Sequence, residues 1–390
     1  MRKAAASRLS PGTPRSVAQW LSTVPTPVPS TLLVLTAARA RLTEPQQEQF
    51  KALAAALTPE GWQKALLLAV RHGLSSLLWY HLAAEHLGES VPPTIWTALA
   101  SGYQEKLLLQ MRLAQTLKQA LTSCYQAGIR AIPRKGPFLA LRLYGRFGPR
   151  PSDDIDLLIH PDTSQRAAYR LLAGDFERWS AAGLDVELAW ELVRRLPYRP
   201  CFPAEAIWQR ALPATFEDVP CFALGPEDEL RYLCAHYAVH GLNRWLWLVD
   251  IAELLRQADA HPAWDWSSFV AETVARELAM PVVLSFLQAQ YLLDAPVPPT
   301  LMEQLGQAAQ SAAEQARLAA AMAVSAPFAR RARLLLGAAS TWQERWKSLS
   351  QLLWPDPDYL YDSPDHYVPG HSITRARLSR LLRLTRHVLE

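Results

Sequence analysis

The sequence predicts an α+β fold, mostly α by residue count, with a small mixed sheet flanked by helical domains. Three observations carry that expectation. Helical periodicity runs from about residue 31 to Gly128 and returns from Pro226 onward. Between these stretches, short apolar runs with period-two alternation take over. Half of the 390 residues are hydrophobic, which is ample for a large core and several domains. The expected division is a leader over 1–30, a helical domain over 31–128, an α/β core over 129–225, a helical domain over 226–354, and a loop with an Arg-rich helix over 355–390.

The leader is rich in Pro, Ser, Thr and Ala, with one short helical turn around Val17 to Leu21. Thr58-Pro59-Glu60 is a helix start: a capping Thr, Pro at the first helical position and an acid in the first turn. That helix ends at Gly73, and another follows from Leu74 to Leu87. After Pro92-Pro93, residues Thr94 to Gln126 read as one long amphipathic helix stopped by Gly128. Ile129 to Pro133 is then a short strand, and Lys135-Gly136-Pro137 opens a helix through Tyr144. Asp154 to Ile159 is the second strand, Pro161-Asp162-Thr163 opens a helix to about Leu172, and Leu184 to Leu188 is the third strand. Ala214 to Leu224 reads as a hairpin around Glu217-Asp218. Helices Glu227 to His240 and Trp245 to Gln257 meet at Gly241, and Ala- and Leu-rich helices continue to about Leu353.

Composition narrows the function classes. A net charge of +4, spread along the chain, argues against a dedicated polybasic tail. The four cysteines, Cys124, Cys201, Cys221 and Cys234, lack the spacing of a zinc ribbon or a disulfide scaffold. No segment reaches the roughly 18 apolar residues needed to span a bilayer. A cytoplasmic protein in a reducing compartment is the expectation.

The chemistry concentrates at Asp154-Ile155-Asp156. A strand alternates its side chains, so the two acids share one face while Ile155, Leu157 and Ile159 share the other. Neighbouring carboxylates repel unless a cation lies between them or one is protonated. The ordinary occupant is Mg²⁺, with Mn²⁺ as a substitute, held by one or two carboxylates and by phosphate oxygens. The pair therefore points to metal-assisted phosphoryl or nucleotidyl chemistry, against the blander reading of solvated acids on an exposed face. Glu187 on the third strand is the candidate third carboxylate, with Asp185 behind it. Lys135-Gly136 precedes a helix N-terminus, where backbone N–H groups and a lysine can hold phosphate. Arg150 is a candidate bidentate phosphate clamp. Arg134, Arg142 and Arg146 read as members of a solvated face.

These residues carry a resemblance. Ile132-Pro-Arg-Lys135-Gly136-Pro-Phe-Leu-Ala-Leu-Arg-Leu-Tyr144, followed by Arg150 and Asp154-Ile-Asp156-Leu-Leu-Ile, resembles a bacterial family of uncharacterised nucleotidyltransferases within the DNA polymerase β-like superfamily. Similarity extends over roughly residues 45 to 300, including Trp62 to Leu82 and Pro226 to Leu255. The resemblance implies a nucleotidyltransferase fold and transfer of a nucleotide from an NTP, ATP among the candidates, to an acceptor. It names no acceptor; a small molecule, a protein side chain or RNA all fit. Where the family shows an acid, an apolar residue and His-Trp, this chain has Glu187-Leu188-Ala189-Trp190.

Two further functions compete. One is a non-catalytic nucleotide- or partner-binding module of the same fold. The other is a metal-dependent hydrolase built on His236 and His240, four apart on one helix face, with Asp250 on the next helix. Lining of a groove by these three residues is the simpler expectation. Trp245, Trp247, Trp264 and Trp266 read as core packing. Arg375, Arg377, Arg380, Arg383 and Arg386 form either a solvated face or an RNA-tracking stripe.

Overall fold

The computed structural model describes residues 28–194, 197–261 and 264–322, with isolated positions between 334 and 350. The turn at Val17 to Leu21, the loop from Pro355 and the C-terminal Arg stripe lie outside the described residues. Within them the chain is mostly helical with two small sheets, as expected for α+β.

Four helices come first: α1 Pro29–Ala37, α2 Glu44–Ala56, α3 Pro59–His72 and α4 Ser75–Ala84. The start of α3 follows from sequence: Thr58 Oγ1 accepts from the Gly61 N–H at 3.2 Å, and Pro59 needs no N–H partner. Gly73 ends the helix at φ +75°, a conformation open to a residue without Cβ. Helix α5, Pro93–Gln126, is 34 residues long, about 51 Å at 1.5 Å per residue. That length lets it serve two cores. Ile95 and Leu99 near its start join one, while Leu113, Leu117, Leu121 and Cys124 near its end join the other.

A three-stranded mixed sheet follows in the order β1-β2-β3. Strand β1, Ala131–Pro133, is antiparallel to β2, Asp154–Ile159, with α6, Gly136–Tyr144, between them. Strand β3, Asp185–Ala189, is parallel to β2. The crossover is α7, Gln165–Ala181, longer than the helix to Leu172 that the sequence suggested. After α8, Ala204–Gln209, strands β4, Leu212–Phe216, and β5, Val219–Ala223, form the expected hairpin. Its two-residue turn places Glu217 at φ 44° and Asp218 at φ 69°, the left-handed pair that matches strand twist.

Helices α9 Pro226–Val239, α10 Trp245–Ala260, α11 Trp266–Ala275, α12 Ala279–Leu293, α13 Pro299–Ala308 and α14 Ala312–Met322 complete the described chain. They share a core with the N-terminal helices: Leu33, Trp62 and Leu78 cluster with Leu254, Phe286 and Leu293. Polar contacts tie the same segments, with His72 Nδ1 2.7 Å from the Asn243 carbonyl and the Ala40 N–H donating to Glu253 at 3.0 Å. The sheet lies between the cores. Ile155, Leu157 and Ile159 face α5 and α7, while Ile132 and Leu158 join the helical core on the opposite side. Trp245, Trp247, Trp264 and Trp266 pack partly buried against that core. The four cysteines are buried and form no disulfide. No helix among the described residues is long and apolar enough to cross a membrane.

Candidate active site

The parallel register of β2 and β3 pairs Asp154 with Asp185 and Asp156 with Glu187. Because side chains alternate, these acids fall on one face of the sheet. Asp185 is exposed at the rim and Asp154 and Glu187 are half-buried, whereas Asp156 is 4% exposed. Unpaired, a carboxylate at that depth would be costly.

Two cations from the turn after β1 meet this cost. Antiparallel pairing brings Pro133 opposite Leu157, and the Arg134 N–H donates to the Asp156 carbonyl at 3.0 Å. Arg134 Nη2 then donates to Asp156 Oδ1 at 2.8 Å and to Glu187 Oε1 at 2.9 Å, while Nη1 donates to the Leu192 carbonyl at 3.1 Å. Lys135 Nζ lies 3.0 Å from Asp156 Oδ2 and 3.2 Å from Asp154 Oδ2. Arg194 adds a contact to Glu187 Oε1 at 2.9 Å. Burial by itself pushes the Asp156 carboxyl up, but the charges of Arg134 and Lys135 outweigh it and hold the group below the usual carboxylate range. Burial likewise opposes the charge on Lys135, and Asp156 and Asp154 reverse that, raising the ammonium above its ordinary value.

Arg134 is the correction here. It does not lie on a solvated face but is buried at the centre of the carboxylate cluster. Period-two counting from Ile132, whose side chain joins the core beside Leu158, would have placed it on the acid face. Arg142 also leaves the solvated face, meeting the buried Glu229 at 2.7 Å.

Gly136 sits at φ +67°, and a Cβ there would lie 3.1 Å from the Asp154 carbonyl oxygen. The Lys-Gly step thus serves both positive φ and close approach. It sets the N-terminus of α6 beside the acid pair, where first-turn N–H groups unused within the helix favour an anion.

Arg150 is bonded to a different carboxylate. Its guanidinium donates to both oxygens of Asp250, through Nε at 2.9 and 3.1 Å and Nη2 at 2.8 Å. Tyr144 Oη donates to the same carboxylate at 2.9 Å, and the side chains of Arg150 and Asp250 are 4% and 0% exposed. The fork suited to phosphate is spent on locking the loop before β2 to α6 and α10. Gln110 extends the lock, donating to the Arg150 carbonyl and accepting from the Gly148 N–H. Asp250 is thus engaged by Arg150 and Tyr144, while the rings of His236 and His240 lie 4.6 Å apart and flank Trp247. Among the described residues no group of three His, Cys, Asp or Glu side chains is placed to hold a metal, so His236, His240 and Asp250 do not form a hydrolase centre.

A family model described as an uncharacterised nucleotidyltransferase matches residues 58–294, more than half of the chain. The chain belongs to that family. No curated protein and no solved structure matches it. The uncharacterised nucleotidyltransferase match spans α3 through α12, so it takes in the acid pair, the Lys-Gly step and the buried Arg150–Asp250 lock.

Among the described residues no three His, Cys, Asp or Glu side chains are placed to hold a metal, and Arg134 bridges Asp156 and Glu187. The acid pair alone nonetheless fits a hard divalent cation. Asp154 Oδ2 and Asp156 Oδ2 converge on a single positive charge, the Lys135 ammonium. Asp156 Oδ2 is buried and takes no well-directed hydrogen bond. Two carboxylate oxygens aimed at one cation position, with phosphate and water completing the shell, is the usual protein share of a Mg²⁺ site.

Proposed function

We propose that this protein transfers a nucleoside monophosphate from an NTP to a hydroxyl-bearing acceptor, releasing pyrophosphate, with Mg²⁺ or Mn²⁺ held by Asp154 and Asp156. The observation that carries the reading is the convergence of these two carboxylates on one cation position beside the N-terminus of α6. A bound divalent ion supplies Lewis-acid polarisation of the α-phosphate. The chain's own residues do the rest. Lys135 moves from the acid pair to the β- and γ-phosphates, and the first-turn N–H groups of α6 hold the same oxygens. Arg134 keeps Asp156 ionised and fixed in orientation. Glu187, held by Arg134 and Arg194, closes the floor of the site from β3. The acceptor oxygen attacks the α-phosphorus, the bond to the bridging β-phosphate oxygen breaks, and the hydroxyl proton passes to solvent.

The second reading is a nucleotide-binding module without turnover. It is favoured by the chain cations that already neutralise all three carboxylates and by Ala189 in the position of the family's His. One experiment separates the two. ATP, GTP, CTP and UTP labelled at the α-phosphate are incubated with Mg²⁺ or Mn²⁺ and a cell extract. Label transfer that disappears in Asp154→Asn and Asp156→Asn supports the enzyme; nucleotide retention without pyrophosphate release supports the module.

A further inference from the structure

Two-ion catalysis of nucleotidyl transfer needs a carboxylate that bridges both ions and a third that completes the second shell. In this chain the position between Asp156 and Glu187 is filled by a side chain. We propose that the site takes one divalent cation and that the Arg134 guanidinium permanently fills the second cation position. The inference rests on the proposed nucleotidyl transfer, whose ion it counts.

The two chain cations differ in how they are held. Arg134 donates to three acceptors on three segments, Asp156 Oδ1, Glu187 Oε1 and the Leu192 carbonyl, and its side chain is 7% exposed. Removing it would leave the buried Asp156 carboxylate and the Leu192 carbonyl without that donor. Lys135 is 21% exposed on a flexible four-carbon stem. An incoming ion therefore displaces Lys135, not Arg134. Lys135 is also the cation that a triphosphate beside α6 would draw away.

The pairing of the third carboxylate gives the same answer. Asp154, Asp156 and Glu187 carry three negative charges, matched by Arg134, Lys135 and Arg194. A second ion would need Glu187 Oε1, which already lies 2.9 Å from both guanidinium groups. The chemical consequence is a rigid cation, without exchangeable water, where a second metal would otherwise ionise the acceptor hydroxyl.

The test is an ion count on the full chain. Mn²⁺ is titrated in the presence of α,β-methylene ATP and its GTP, CTP and UTP counterparts, and bound Mn²⁺ is read by electron paramagnetic resonance. One Mn²⁺ per chain, without the spectrum of a coupled pair and lost in Asp154→Asn, is the expected result. Two coupled ions would overturn the inference and leave nucleotidyl transfer standing; no bound ion would remove both. Glu187→Gln supplies a second arm. Affinity is expected to fall about tenfold, as on loss of a neighbouring outer charge, with the count still one. Abolished binding in a folded Glu187→Gln protein would make Glu187 a ligand and sink the inference.

Discussion

Replacing Asp250 by Ala separates a structural arginine from a phosphate clamp. Asp250 anchors two groups: it receives both arms of Arg150 and the Tyr144 hydroxyl, with a side chain that has no solvent exposure. Its removal leaves a guanidinium 4% exposed without its counter-charge. Breaking such a pair from one side costs about 3–5 kcal/mol. That is a large part of the roughly 5–15 kcal/mol by which folded domains are stable. Urea unfolding followed by circular dichroism reads the cost as a lower midpoint. The paired change Arg150→Met with Asp250→Leu removes both charges and is expected to recover most of the loss, because no charge is then left buried alone. A single variant that unfolds within about 1 kcal/mol of the parent would refute the reasoning, given the magnitude expected for a desolvated pair. So would a stable variant whose only defect is weaker NTP binding, since that is the behaviour of a clamp.

Two other perturbations follow from the same geometry. Burial pushes the Glu229 carboxyl up to about 7 from 4.5, with Arg142 opposing. Between those values the folded chain keeps a proton that the unfolded chain has released, so stability falls as pH rises and then levels off. The fall is on the order of 3 kcal/mol, and Glu229→Gln is expected to flatten it in unfolding titrations from pH 4.5 to 8. An unchanged slope in the variant would assign the effect to another group. Gly136→Ala forces a Cβ to φ +67°, 3.1 Å from the Asp154 carbonyl oxygen. A loss of about 1–2 kcal/mol is expected from the left-handed conformation, together with weaker Mn²⁺ binding as Asp154 is pushed aside. Full retention of ion affinity would detach the Lys-Gly step from the site.

Much of the acid face was legible because it rests on local rules. Alternation along β2 placed Asp154 and Asp156 together, and period two along β3 placed Glu187 beside them. Lys135-Gly136-Pro137 announced the start of α6, and Glu217-Asp218 the hairpin turn. Arg134 escaped because a lone arginine beside a proline carries no local mark of burial; only pairing of β1 with β2 brings it to Asp156. Arg150 and Asp250 are separated by 100 residues, so no spacing rule links them. The same distance hid the common core of the N-terminal and post-sheet helices.

By itself the order of residues determined the mostly helical class, the strands that carry the acids and the helix that begins beside them. These depend on backbone geometry repeating every two or 3.6 residues, which a linear reading can count. Tertiary structure alone decided which cation neutralises which acid. Those pairings depend on distance and desolvation between segments far apart in the chain, and both quantities exist only once the sheet is closed between its two cores.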